Sequence, residues 1–329
     1  MKNLKMSNII KGVVVGFVSL FAIFGFYNLF VYSGGKDKSE IKTNNYKPDY
    51  FVQAFPIPDE VFFAEEEVPI YNFDVKEALD LELLKISFWH SETFLYLKRA
   101  NRFFPVIEPI LKKYQIPDDF KFLSIAESGL VNVSSPAGAK GYWQFMESTA
   151  KEYGLTVNEE VDERYNLEKS TEAACKYLKN AYRKFKSWSM VAAMYNAGGG
   201  RIEKTANEQK QNSYYDLLLN QETGRYVYRI IALKLVMSRP NDYGLSVKDE
   251  DLYSVIETKD IEIDSSIVNL VDFAIKNKIN YKLFKYFNPW LRQNYLKNSA
   301  KKKYIFKIPT GNQRKFNFIN VQFDTTSVK

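Results

Sequence analysis

Glu127 stands in an apolar run, Phe120-Lys121-Phe122-Leu123-Ser124-Ile125-Ala126-Glu127-Ser128-Gly129. A carboxylate among so many apolar side chains is expected to be partly buried, and burial raises a carboxyl pKa by disfavouring the charged form. Pro117 followed by Asp118 and Asp119 marks a helix start, and Gly129 marks its stop. Glu127 then lies in the last turn, where the negative end of the helix dipole raises its pKa again. A carboxyl held neutral near pH 7 can donate a proton to a leaving oxygen. Alone this is weak, because a buried structural glutamate paired with arginine has the same signature.

Three further blocks change the weight of Glu127. Eight residues on comes Ser135-Pro136-Ala137-Gly138-Ala139-Lys140-Gly141-Tyr142-Trp143-Gln144. Then follow Ala193-Met194-Tyr195-Asn196-Ala197-Gly198 and Glu222-Thr223-Gly224-Arg225-Tyr226-Val227. In this order and spacing the four blocks resemble the soluble lytic transglycosylase domain of lysozyme-like fold, in its membrane-bound murein-lytic branch. The resemblance covers about residues 100–240. It implies that Glu127 is a single catalytic acid and then base, cleaving the β-1,4 bond between N-acetylmuramic acid and N-acetylglucosamine in peptidoglycan. It also implies a product ending in a 1,6-anhydro ring, with the substrate's acetamido group replacing a second carboxylate.

By the same resemblance Ser135, Gln144, Tyr195, Asn196 and Tyr226 bind substrate. A serine hydroxyl suits orientation of the acetamide, a glutamine amide offers donors and an acceptor to sugar hydroxyls, and tyrosines beside the acid tune its pKa. Each also has a structural explanation: a turn at Ser135 before Pro136, a cap at Asn196, core packing for the tyrosines. Gly138 and Gly141 read as backbone that lets a glycan approach closely. The chain departs from the family where Tyr142-Trp143 replace the Leu-Met of many members, and the gap from Glu127 to Ser135 is a residue shorter.

Composition narrows the alternatives. His90 is the only histidine and Cys175 the only cysteine, so histidine triads, multi-histidine zinc sites and intrachain disulfides are disfavoured. No metal or cofactor is expected. Residues 12–32 are uncharged and mostly apolar, about long enough to span a bilayer. Lys2, Lys5 and Lys11 precede them, which predicts a single-pass anchor with the remainder in the periplasm. A cleaved signal peptide is the alternative. Net charge is +7, yet residues 273–323 hold twelve Lys or Arg and no acid, while 33–272 sum to −8. A basic module on an acidic body implies an anionic partner; behind a membrane anchor a wall polymer or lipid headgroup fits better than nucleic acid.

The predicted organisation is a signal anchor at 1–32, a linker at 33–50, a mainly α lysozyme-like domain at 51–245 with its core at 100–240, and a basic module at 246–329. Helices are expected from Val75 to Phe104 and on to Ile116, then at Pro117–Glu127, Trp143–Tyr153, Ser170–Phe185, Trp188–Tyr195 and Glu222–Met237. In the tail, strands at Leu252–Glu257 and Tyr304–Pro309 flank two short helices. This βααβ, α+β order loosely resembles a LysM module, with Lys259-Asp260-Ile261-Glu262 where that family carries a Gly-Asp-Thr turn. Two rivals remain: a lysozyme-type hydrolase using Glu147, Asp162 or Glu222 as second carboxylate, and a non-catalytic wall-binding protein.

Overall fold

The computed structural model describes residues 54–310. The predicted anchor at 12–32, the linker at 33–50 and the last residues, 311–329, lie outside the described residues. Among the described residues no helix is long and apolar enough to cross a membrane.

The first elements are a small hairpin, β1 (Phe62–Phe63) and β2 (Glu66–Glu67), turning through Ala64 and Glu65 at positive φ. Val75, Leu79, Leu83 and Ile86 recur at helical spacing and bury one face of α1 (Phe73–Phe88). The long helix expected from Val75 is two helices. Trp89 leaves helical geometry (φ −84°, ψ 53°), the Thr93 hydroxyl donates to the Ile86 carbonyl at 2.6 Å, and α2 (His90–Tyr114) restarts beyond it.

The catalytic-candidate helix α3 spans Phe120–Ser128 and begins later than Pro117 suggests. Asp119 does not serve its own helix; its carboxylate accepts from the Ala64 amide at 2.7 Å and from Lys234 Nζ at 2.8 Å. Gly129 ends the helix at φ 59°, where a Cβ would come within 2.8 Å of the Tyr96 ring. The helix expected from Trp143 is confined to α4 (Glu147–Glu152), because Gln144 takes a positive φ of 48°.

Next come α5 (Leu167–Phe185) and α6 (Trp188–Ala197). Helix α7 (Gly199–Gln209) is an addition to the expected elements: Gly198, at φ 84°, breaks the chain for one residue and the helix resumes through Gly199-Gly200. Helix α8 (Gln221–Ser238) is nearly wholly buried along its inner face, from Tyr226 to Met237, and packs against α1, α3 and α6. Cys175 is buried in α5, where burial pushes its thiol up to about 12, the range of an inert structural cysteine.

The C-terminal part has strand–helix–helix–strand order: β3 (Thr258–Ile263), α9 (Leu270–Lys276), α10 (Tyr281–Phe287) and β4 (Tyr304–Pro309). The two strands pair antiparallel, Thr258 with Pro309 through Ile263 with Tyr304. The first strand thus lies six residues beyond the predicted Leu252–Glu257. That earlier segment spends its carbonyls on α2 instead: Asn101 Nδ2 donates to the Tyr253 carbonyl and Arg102 Nε to that of Ser254, both at 3.0 Å. Lys259–Glu262, expected to stand at a turn, is in β3. Phe284, Trp290, Leu291, Phe306 and Ile308 form a separate core that also takes in Val161 and Tyr165. Main-chain bonds secure that seam: Asp162 N to Trp290 O at 2.9 Å and Arg292 N to Glu160 O at 2.7 Å.

Candidate active site

Helix α3 delivers Glu127 one residue before its end, where Gly129 forces the chain to turn away. Leu123, one turn before Glu127 on the same face, and Phe122 and Ile125 on the other faces are all buried, so the carboxyl is packed in protein while keeping a solvent edge. Burial pushes its pKa from 4.5 up to about 7. A hydrogen bond from Tyr226 and the positive charge of Arg229 oppose that rise, and Glu222 adds to it. Burial is the leading cause, ahead of every charge nearby.

The Tyr226 hydroxyl donates to Glu127 Oε1. Tyr226 is buried and its phenol is held well above the usual tyrosine range, by burial and then by the Glu127 charge, so it stays protonated and remains a donor. Tyr195 is likewise pushed up by burial and by Glu127. Its hydroxyl, however, donates to the Trp143 carbonyl at 2.6 Å, which ties α6 to the loop bearing Gln144.

That loop is braced from several sides. Ser128 Oγ donates to the Tyr142 carbonyl at 2.8 Å, and Trp143 Nε1 donates to Thr171 Oγ1 at 2.9 Å. Arg164 is buried and paired through two nitrogens with Asp162 at 2.7 and 2.8 Å, and also donates to the Phe145 and Gly138 carbonyls. Gly141, at φ 84°, lies against Arg164: an added Cβ would sit 1.9 Å from that residue's carbonyl oxygen. The glycine therefore serves close packing within the chain, correcting the expectation that it opens space for a glycan. At Gly138 an added Cβ would meet nothing within 4 Å.

The other predicted residues fall in two groups. Ser135 Oγ accepts from the Ala139 amide at 3.0 Å, the turn expected as its structural explanation. Gln144 Nε2 donates to the Gly141 and Val133 carbonyls at 2.7 and 3.2 Å, so its donors hold the loop. Asn196 belongs to a second network: its Oδ1 accepts from Thr223 Oγ1 at 2.8 Å and its Nδ2 donates to Glu222 Oε1 at 3.3 Å. Of the three rival carboxylates, Asp162 is locked to Arg164 and Glu147 is an exposed partner of Lys151. Glu222 alone of the three acts on the Glu127 charge. Among the described residues no group of three or more His, Cys, Asp or Glu could hold a metal ion.

Two contributors lie outside the sequence motifs. Glu82 of α1 is 2% exposed and pairs with both Arg225 and Arg229 of α8, flanking Tyr226. Glu66 of the hairpin accepts from the Trp188 and Ser189 amides at 2.5 and 3.1 Å, capping α6 from outside its own sequence. The Arg225/Arg229 spacing of four was a visible signal for a shared acidic partner; the position of Glu66, about 120 residues before its target, offered none.

Residues 105–218 match the family model of the transglycosylase SLT domain, and residues 259–312 match that of the soluble lytic transglycosylase C-terminal LysM-like domain. The chain is 30% identical over 210 residues to membrane-bound lytic murein transglycosylase D of Escherichia coli strain K12, covering 62% of this chain and 44% of that protein. The same figures hold for the protein of that name from the O6:H1 strain. The chain thus spans less than half the length of these curated relatives. A solved structure of an inactive mutant of the lytic transglycosylase Slt from Pseudomonas aeruginosa aligns with 15% identity and a TM-score of 0.33, over 46% of this chain and 26% of that one. The chain therefore carries a transglycosylase SLT domain at 105–218 and, after it, a LysM-like domain of the soluble lytic transglycosylase type at 259–312.

Proposed function

We propose that the protein is a peptidoglycan lytic transglycosylase in which Glu127 is the sole acid and base. The observation that carries this is the state of Glu127: a carboxyl with a pKa of about 7, held by a buried tyrosine donor at a helix end. Half-protonated at neutral pH, it can give its proton to the glycosidic oxygen between N-acetylmuramic acid and N-acetylglucosamine. The carboxylate left behind then takes the proton from the muramoyl C6 hydroxyl as that oxygen closes onto C1. Atoms balance with no water consumed, and Glu127 ends protonated as it began. Tyr226 supports the charged phase by donating to Oε1.

Ser135, Gln144, Tyr195 and Asn196 are proposed to line the glycan path, with Tyr195 and Gln144 acting through one braced loop. We further propose the domain division 51–245 and 246–329, an anchor at residues 12–32 and action in the periplasm. The basic module, to which Lys285, Lys302 and Lys307 belong, would meet anionic wall polymer or lipid.

Mass spectrometry of digested sacculi tests the activity. Muropeptides one water lighter than hydrolysis products, with no reducible end, are expected; products with free reducing ends overturn the reading. A lysozyme-type hydrolase has one specific support, the proximity of Glu222 to Glu127, and in that case Glu222→Gln would abolish cleavage.

A further inference from the structure

The loop that carries Ser135 and Gln144, between α3 and α4, has no helix of its own and only isolated bridges, Ser134 with Lys140 and Lys140 with Phe145. Gly138, Gly141 and Gln144 all take positive φ within it. A backbone of this kind keeps one shape only where its surroundings over-determine it. On one side the surroundings are the Glu127 region: Ser128 Oγ donates to the Tyr142 carbonyl at 2.8 Å and the Tyr195 hydroxyl to the Trp143 carbonyl at 2.6 Å. On the other side they are Arg164 and Tyr165. Arg164 Nη1 donates to the Phe145 and Gly138 carbonyls at 3.2 and 3.3 Å. The Tyr165 and Ser134 hydroxyls share a hydrogen bond at 3.1 Å, and Asn132 Nδ2 donates to the Tyr165 carbonyl at 3.2 Å.

Residues 159–165 are in turn gripped by the C-terminal part. The Asp162 amide donates to the Trp290 carbonyl at 2.9 Å, and the Arg292 amide to the Glu160 carbonyl at 2.7 Å. The Lys297 amide donates to Glu160 Oε2 at 2.7 Å, and Gln293 Nε2 to the Glu159 carbonyl at 3.2 Å. Val161 and Tyr165 are buried in the core of Trp290, Leu291 and Phe306 rather than in that of the catalytic helices. Arg292 adds a side-chain contact. Its guanidinium stands 4.3 Å from the centre of the Tyr165 ring, and its Nη1 is steadied by donating to the Pro289 carbonyl at 3.0 Å. Tyr165 therefore links the two parts: its ring meets Arg292, and its hydroxyl meets Ser134, the residue before Ser135.

We propose that the LysM-like part positions the loop of Ser135 and Gln144 beside Glu127, with Arg292 acting through Tyr165 and Ser134 as a positioning residue for the reaction. The inference rests on the roles proposed above for Ser135 and Gln144. It makes the C-terminal part a brace of the active site, whatever else that part binds. The loop is then fixed at two ends: Ser128 and Tyr195 set its distance from the acid, and Arg164 and Tyr165 set its orientation. Arg292 touches neither Glu127 nor any residue proposed to meet the glycan, so its effect on the reaction is one of orientation, which is worth rate when a substrate must be held in a reactive geometry.

The test uses the full chain and two substitutions that leave both cores filled. Arg292 is exposed, so Arg292→Ala removes the guanidinium and keeps the main-chain bond to Glu160. Tyr165→Phe keeps the ring under Arg292 and removes the bond to Ser134. In Arg292→Ala, hydrogen exchange read by mass spectrometry should quicken about fivefold at residues 135–144, the size of one partly exposed cation–π contact, and stay unchanged in α3 and α8. On soluble peptidoglycan strands, well below the melting temperature, kcat should fall by a similar factor in each single variant. If both act along one path, the double variant should lose about fivefold again rather than the roughly 25-fold of independent effects. A contact that only holds the two parts together would lower the urea midpoint and leave kcat of the folded protein unchanged. Unchanged kcat, unchanged exchange at 135–144, or single effects that multiply in the double variant overturns the proposal. The two readings fail separately: exchange is read without substrate, so products with free reducing ends would remove the transglycosylase reaction and leave the brace standing.

Discussion

Replacing Glu127 by Gln should stabilise the protein at alkaline pH and leave it unchanged in acid. The carboxyl pKa is raised from 4.5 to about 7 on folding. Below the unfolded value both states are protonated and the shift costs nothing. As pH rises from 4.5 to 7 the unfolded chain loses its proton first, so stability falls throughout this window and the loss is complete above it. At 1.36 kcal/mol per unit, a shift of this size corresponds to roughly 3 kcal/mol. The solvent edge of Glu127 lowers this, so about 2–3 kcal/mol is expected at pH 8. Glutamine keeps the shape and an oxygen to accept from Tyr226, and it has no proton to lose. Urea denaturation of both proteins from pH 4 to 8 measures the difference. Curves that separate only above pH 5, with the variant the more stable, are expected. A constant offset across the range would refute the idea that burial strains the Glu127 charge.

Other substitutions probe the parts around it. Tyr226→Phe removes a donor that favours the carboxylate, so the alkaline limb of the pH–rate profile should move up by about one unit, the size of a hydrogen bond to a charged group. Glu82→Gln breaks the pairing with Arg225 and Arg229 and should cost about 2–3 kcal/mol in denaturation, below the usual buried-pair range because both guanidinium groups keep some solvent. Gly141→Ala meets the Arg164 carbonyl at 1.9 Å and should cost well over about 3 kcal/mol, whereas Gly138→Ala, with open space, should cost only about 1 kcal/mol of backbone strain; thermal melts separate the two.

Local signals in the sequence carried far. Apolar spacing located α1, α5, α6 and α8, the glycine after Ser128 ended the helix of Glu127, and the Tyr304–Pro309 strand stands at its expected residues. What escaped was long-range. Leu252–Glu257 alternates like a strand, but side chains of α2 claim its carbonyls before a partner strand can. Asp119 looks like a helix-start acid, yet it holds the hairpin and Lys234. The site has the same division. The apolar setting of Glu127 announced its burial, while the Glu82 pair, the Glu66 cap and the contact of Arg292 with Tyr165 depend on residues far apart in the chain.

The most direct test of Glu127 as both acid and base is cleavage of purified sacculi by the Glu127→Gln variant. Removal of a single group that makes both proton transfers should reduce release of soluble muropeptides by at least about 10³-fold, within the range for general acid–base catalysis, while the variant still sediments with the sacculi. Release near the unaltered rate would contradict the assignment and place the chemistry on another residue.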